Sequence, residues 1–362
     1  MNFPRRASAR LLATLTLAAL AAALPLKHAA QNAPSSAPSP NGKIVFQSTQ
    51  GGDGYVNDIY VMDAEGRHQT RLTDDPGDDV SAVWSPQGDK IAFLSNRRGA
   101  GYEIFLMNAD GTNQHPLRDA SPVYTAGFGW SPDGTRLAFD NGGNVYVVAV
   151  DGASAPTNVS VNKDFGSSDS VPSWSPTGGR LVVRNSIPCT QGCSDLYVVN
   201  AADGTGRVKL QTGPGFDADP RWSPTADVVV YEGDRFPLGR GIYVTAADGT
   251  GSEMLVSGAA GSWGSAVWSP DGSRLGFFSQ SGVAHVVKPD GTGLVSVSDA
   301  PASSLTLFWS PDGSKVGYHN ANADGWVDIF VVASDGSGRR AVNYTKTRRA
   351  DEFAYSWQKL TP

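Results

Sequence analysis

The sequence predicts an all-β fold, a seven-bladed β-propeller of four-stranded antiparallel blades, and three observations predict it. Seven tryptophans, Trp84, Trp130, Trp174, Trp222, Trp268, Trp309 and Trp357, recur at intervals of 46, 44, 48, 46, 41 and 48 residues. The first six are followed by a turn, reading SPQG, SPDG, SPTG, SPTA, SPDG and SPDG in chain order. The rest of each unit is short β-branched and aromatic runs without a 3.6-residue apolar period, so four strands per repeat, and not a helical solenoid, account for it.

The elements follow in order within each unit. Residues leading into the tryptophan form a first strand. In the turn, Ser stands first, Pro second with its fixed φ, and Gly fourth, as a type I turn closing onto a left-handed residue requires. Second strands are expected at residues 90–93, 136–139, 180–183, 228–231, 274–278 and 315–318. Third strands are the runs DIYVM from Asp58, EIFLM from Glu103, NVYVV from Asn144, DLYVV from Asp195, GIYVT from Gly241, VAHVV from Val283 and DIFVV from Asp328. A turn ending in glycine, Gly66 or Gly111 for example, leads to a weaker fourth strand such as QTRLT from Gln69.

The phase of the ends predicts closure. The first ordered strand, at residues 43–46, is a second strand, and the last, at 354–357, is a first strand. Their pairing would build one blade from both ends of the chain, closing the ring and removing exposed sheet edges. The seven tryptophans are expected in the core, where burying ~150–250 Å² each at ~25 cal/mol per Å² is worth about 4–6 kcal/mol.

Three segments are expected. Residues 1–30 read as an export signal, with Arg5, Arg6 and Arg10 before an uncharged apolar run from Leu11 to Leu24 that is too short to span a bilayer stably. Residues 31–42, rich in Pro, Ser and Ala, suit a flexible linker, and residues 43–362 form the propeller. No membrane span is expected after cleavage, and the chain is expected to be a monomer. A net charge of −6 disfavours nucleic acid, which recruits excess Lys and Arg.

The recurring tryptophan-SPDG, basic residue and strand, followed by an IYVM-like strand and a DG turn, resembles the propeller repeats of the TolB family across residues 43–362. The resemblance implies a periplasmic or secreted protein that acts through protein–protein contacts. Six units behind an α/β domain would mark TolB itself, whereas this chain shows seven units after a short linker.

Function is expected on the face carrying the loops of variable length, at Asn96, Asn185, Glu232 and His319, because loops on a rigid scaffold carry recognition. Asp79, Asp169, Asp217 and Glu352 stand five residues before their tryptophans, with Asp219 nearby, and are expected around the tunnel mouth. Carboxylate oxygens there suit Ca²⁺ or a basic peptide; the alternative is that each accepts hydrogen bonds within its own loop. No cofactor is otherwise predicted. Cys189 and Cys193, in one loop, fit a small disulfide of an oxidising compartment. Arg97 and Arg98, with Arg348 and Arg349, are candidates for an acidic partner. The histidines are scattered over unrelated units, and no nucleophile elbow is present, so a binding scaffold is favoured over a propeller lyase or lactonase. A carbohydrate-binding protein stacking sugars on Trp263 and Trp326 is a third class.

Overall fold

The computed structural model describes residues 41–49, 56–99, 101–117, 127–161, 163–187, 193–210, 215–235, 239–256, 266–298, 302, 304–321, 326–338, 340–341 and 352–360. Backbone contacts separate Met1–Ala37 from Pro38–Pro362. The first unit, and with it the expected export signal, lies outside the described residues.

The described residues form an all-β, multi-sheet, β-propeller-like fold of antiparallel meanders. One meander shows the pattern: Asp79–Trp84, Lys90–Ser95, Glu103–Asn108 and His115–Pro116 pair in sequence order. The sheets that follow start at Phe128–Trp130, Ser168–Trp174, Phe216–Trp222, Val267–Trp268 and Ser304–Trp309. The third and fourth of these meanders are joined by a single parallel pair, Ser194 with Phe216. A further sheet pairs Asn41–Ser48 with Asp58–Met62 on one side and with Glu352–Lys359 on the other, in the register Ile44 to Trp357 and Gln47 to Phe353. The strand therefore reaches two residues into the segment expected as linker. Asn41 is ordered by its side-chain bond to Asp312 at 3.0 Å, and the Gly42 carbonyl accepts the Trp357 indole N–H at 3.0 Å.

Strand alternation decides how the sheets pack. Successive side chains point to opposite faces, so each sheet contributes to two cores. Seven buried clusters result among the described residues, each containing one of the seven repeat tryptophans together with residues of two successive meanders. Trp174, for example, packs with Ala138, Val145 and Val147 of the preceding meander and Leu181 and Val183 of its own.

The repeat motif is explained by what these tryptophans contact. Indole N–H groups of Trp130, Trp174, Trp268 and Trp309 donate to the carbonyls of Val83, Gly129, Arg221 and Val267, in each case the residue before the preceding tryptophan. The basic residue after the turn completes the stack: the Arg136 guanidinium lies 4.8 Å from the Trp174 ring centre and that of Arg180 5.0 Å from Trp222. Where the residue before the neighbouring sheet's tryptophan is serine, as at Ser356 and Ser173, the pattern changes. Backbone N–H groups of Trp84 and Trp222 donate to Ser356 and Ser173 Oγ, and their indole N–H groups have no acceptor among the described residues. Trp174→Phe should therefore cost about 1 kcal/mol more than Trp84→Phe in denaturant melts; equal losses would show that the indole bond contributes nothing.

The turn chemistry is visible too. Ser85, Ser131, Ser175, Ser269 and Ser310 accept the amide of the glycine three residues on, and those glycines sit at φ near +70°. In the SPTA turn Ala226 does not adopt a positive φ, because a Cβ disfavours it.

Candidate functional site

Of the five carboxylates expected at a tunnel mouth, Asp79, Asp169, Asp217 and Glu352 come from equivalent places in different sheets and Asp219 shares the strand of Asp217, but most are turned into the protein. Asp79, Asp169, Asp217 and Glu352 are buried, and Asp219 alone is half-exposed. Each first strand bulges just after the carboxylate, with register shifts between Val80 and Val83, Ser170 and Ser173, and Ala218 and Arg221. At the bulge Ser81, Val171 and Asp219 take φ of 58°, 51° and 47°, a costly conformation for non-glycine residues and most of all for the β-branched Val171.

Two of the buried acids clamp arginines, Arg97 in the loop after Ser95 and Arg207 just before the strand Val208–Lys209. Arg97 donates to Asp79 at 2.8 Å, pairs with Asp75 at 2.6 Å, and stacks on Phe105 with 4.8 Å to the ring centre. Arg207 makes two bonds to Asp169, at 2.8 and 2.9 Å, and lies 4.1 Å from the Tyr197 ring centre, while Asn185 donates to the same carboxylate at 2.7 Å. These arrangements fix the start of the loops after Ser95 and Asn185. For Asp217, the serine hydroxyl of Ser194 donates to its backbone carbonyl at 2.5 Å. Sequence reasoning singled out the acids and missed their partners, because Asp169 and Arg207 are 38 residues apart.

Other expected residues distribute as follows. Arg98 is 3.6 Å from Glu103. Cys193 is disulfide-bonded, whereas Cys189, Trp263, Arg348 and Arg349 lie outside the described residues. Among the described residues no three His, Cys, Asp or Glu side chains are grouped to hold a metal ion. His319, expected to be one of several unrelated histidines, is buried and accepts the Ala354 amide through Nε2 at 2.7 Å, tying the Lys315–Ala321 strand to Glu352–Lys359.

Burial moves two of these groups in opposite directions. Desolvation pushes the Asp79 carboxyl up to about 6, against the bonds from Ser95, Arg97 and Thr73, and pulls the His319 ring down to about 4. A carboxyl raised from 3.8 contributes stability that is full below 3.8 and lost as pH rises through 6. A histidine lowered from 6.5 contributes stability that is full above 6.5 and lost as pH falls through 4. On acidification from pH 6.5 to 4 the wild type should therefore lose ground to His319→Asn and gain ground on Asp79→Asn. Melting midpoints of the three proteins against pH test this, and parallel curves would refute it.

A second feature lies at the other end of the first strands. Trp130, Trp174 and Trp222, with the turn residues Pro132, Pro176 and Pro224, border a cavity of about 430 Å³ that also takes in Val171, Ser173 and Arg221. Nothing in the sequence pattern marked it, since it is assembled from three successive meanders.

Comparison with known proteins places these features. The family described as "TolB beta propeller domain" matches residues 98–290. "Tol-Pal system protein TolB" of Bordetella pertussis is 29% identical over 174 residues, covering 47% of this chain and 37% of that protein. The chain thus aligns with little more than a third of that relative's length. Among solved structures, TolB from Acinetobacter baumannii superposes with a TM-score of 0.54 at 14% identity, covering 88% of this chain and 66% of that one. An oligogalacturonate lyase in complex with manganese gives a TM-score of 0.64 at 17% identity, covering 86% and 87% of the two chains. At these identities the structural likeness shows the fold alone.

Proposed function

We propose a function from one premise: the chain belongs to the TolB β-propeller domain family, and it serves as an exported, non-enzymatic scaffold that binds a protein or peptide partner on its loop face. The finer architecture belongs to the same proposal: seven four-stranded blades in a ring closed by the strands Asn41–Ser48 and Glu352–Lys359. Contacts on both sides of the C-terminal strand support closure. Trp84 reaches Ser356, Gln358 donates to the Gly88 carbonyl at 2.7 Å, and His319 holds Ala354. At Gly88 a Cβ would stand 2.1 Å from the Lys359 carbonyl, so only glycine admits that strand.

The observation that carries the binding reading is that buried carboxylates paired with arginines hold the starts of two loops, Asp79 through Arg97 and Asp169 through Asn185. Asp79 with Arg97 and Asp169 with Arg207 hold the loop bases in one conformation, and preorganised loops lose less entropy on binding. In this reading Asp79, Asp169, Asp217 and Glu352 act through the loops they support, and Asp219 is the carboxylate open to a ligand. A disulfide between Cys189 and Cys193 would stiffen the loop between them. An export signal at residues 1–30 and a linker after it fit a periplasmic or secreted location, and the TolB name of the relatives supports it.

Photo-crosslinking in cells tests the reading. A crosslinking residue at Arg98, between second and third strands, should give protein adducts, and one at Asp110, in the turn at the opposite end of the third strand, should not. Adducts from both positions alike, or from neither, would contradict it.

A further inference from the structure

Single apolar side chains on a surface are ordinary, so Phe165 counts for the way it is held. It is the most exposed large apolar residue among those described, at 106%, with Leu294 next at 53%. Its turn, Asp164 to Ser167, connects the strand Thr157–Asn158 to Ser168–Trp174. In an antiparallel meander that connection falls at the same end as the loops after Ser95 and Asn185. Ser167 donates its amide to the Asp164 carbonyl at 3.1 Å and Gly166 takes a φ of 79°, as in a type II turn with Phe165 at its first central position.

The turn is braced on both sides. Lys163 Nζ donates to the Gly143 carbonyl at 2.5 Å, and the same carbonyl accepts the Asp169 amide at 2.9 Å, which ties the turn to the hairpin of the preceding sheet. On the other side the Ser167 hydroxyl donates to the Asp164 carbonyl at 2.7 Å and accepts Asn185 Nδ2 at 3.0 Å. Asn185 in turn donates to Asp169, which Arg207 holds. Lys163 is half-buried, so the charge left exposed on the turn is the Asp164 carboxylate, which has no ion pair among the described residues.

We propose that Phe165 is the anchor by which the loop face docks its protein partner, its ring entering an apolar pocket that carries a lysine or arginine at the rim for Asp164. The inference rests on the loop-face reading above and deepens it. A ring presented by a braced turn has little loop entropy to lose on binding, and full burial of a phenyl group is worth about tenfold to a hundredfold in affinity. Rigid aromatic anchors in desolvated pockets are where binding energy concentrates. A membrane surface is disfavoured by charge, because the exposed group beside the ring is acidic and the chain carries a net −6, whereas anionic lipid recruits Lys and Arg.

The protein adduct formed in cells through a crosslinking residue at Arg98 is the readout, taken with melting midpoints of the purified full chain. Phe165→Ser should leave the midpoint unchanged, because the ring lies outside the cores, and should cut the adduct about tenfold. Phe165→Leu should keep most of the adduct, and Asp164→Lys should lose about two- to fivefold, as a rim charge does. An undiminished adduct in Phe165→Ser overturns the anchor and leaves the loop-face reading standing; no adduct from the wild type overturns both. A midpoint lowered by Phe165→Ser would show the ring packed within the protein and contradict the anchor, and a stronger adduct from Asp164→Lys would contradict the basic rim. Vesicles of phosphatidylglycerol and phosphatidylethanolamine test the other occupant: cosedimentation of the wild type that Phe165→Ser abolishes would overturn the proposal in favour of a membrane.

Discussion

Removing residues 352–362 should leave a chain that aggregates or fails to give a cooperative melt. The deletion takes Ala354 and Trp357 out of one core cluster and strips the strand Asn41–Ser48 of one of its two partners. It also removes the Ser356 hydroxyl from Trp84 and the Ala354 amide from His319. Loss of one buried tryptophan alone costs about 3–5 kcal/mol, against a total stability of about 5–15 kcal/mol for a typical domain. The uncovered strand NGKIVFQS would then offer a hydrophobic edge for intermolecular pairing. A soluble truncated monomer with an unchanged melting midpoint would exclude closure through this strand.

Asp169→Ala should be the most damaging single substitution among the five carboxylates singled out by the sequence. Its carboxylate is 1% exposed and that of the partner, the Arg207 side chain, 8%. Truncating the acid leaves a guanidinium buried without its counter-ion, a change that costs about 3–5 kcal/mol. Asp169→Ala with Arg207→Met should recover much of that loss, because removing both charges abolishes the desolvation penalty. Urea unfolding of the wild type, both single variants and the double variant gives the cycle. A loss below about 1 kcal/mol for Asp169→Ala would mean that water reaches the pair and that the loop clamp is weak.

What could be read in the sequence was what repeats. Trp84 to Trp357, and the turns after the first six of them, recur in register, and turn chemistry is local, so strand positions such as Lys90–Ser95 and Arg136–Asn141 were legible within a residue or two. Contacts between units were not. The basic residue after the turn was visible as a habit, but its purpose, stacking Arg136 on Trp174 and Arg180 on Trp222, depends on packing between neighbouring sheets. Asp79 and Asp169 stood out as carboxylates at equal distance from a tryptophan; that they pair with Arg97 and Arg207 depends on contacts 18 and 38 residues apart, which a residue pattern does not encode. His319 looked isolated because its partner is a backbone amide 35 residues on. Arg221 was one arginine among many until three strands placed it beside a cavity.

The Arg–Asp clamps also bear on the choice between scaffold and enzyme. Carboxylates engaged by arginines inside the protein support loops and are poor ligands for a metal ion, whereas metal-assisted chemistry requires several free donors converging on one point. Melting the full chain with Ca²⁺, with Mn²⁺ and with EDTA is the most direct measurement, because a ligand of the native state must raise the midpoint. A binding scaffold without metal chemistry predicts the same midpoint in all three. A rise with either metal, reversed by EDTA and abolished by Asp79→Ala with Asp217→Ala, would contradict it and make the carboxylates a metal site.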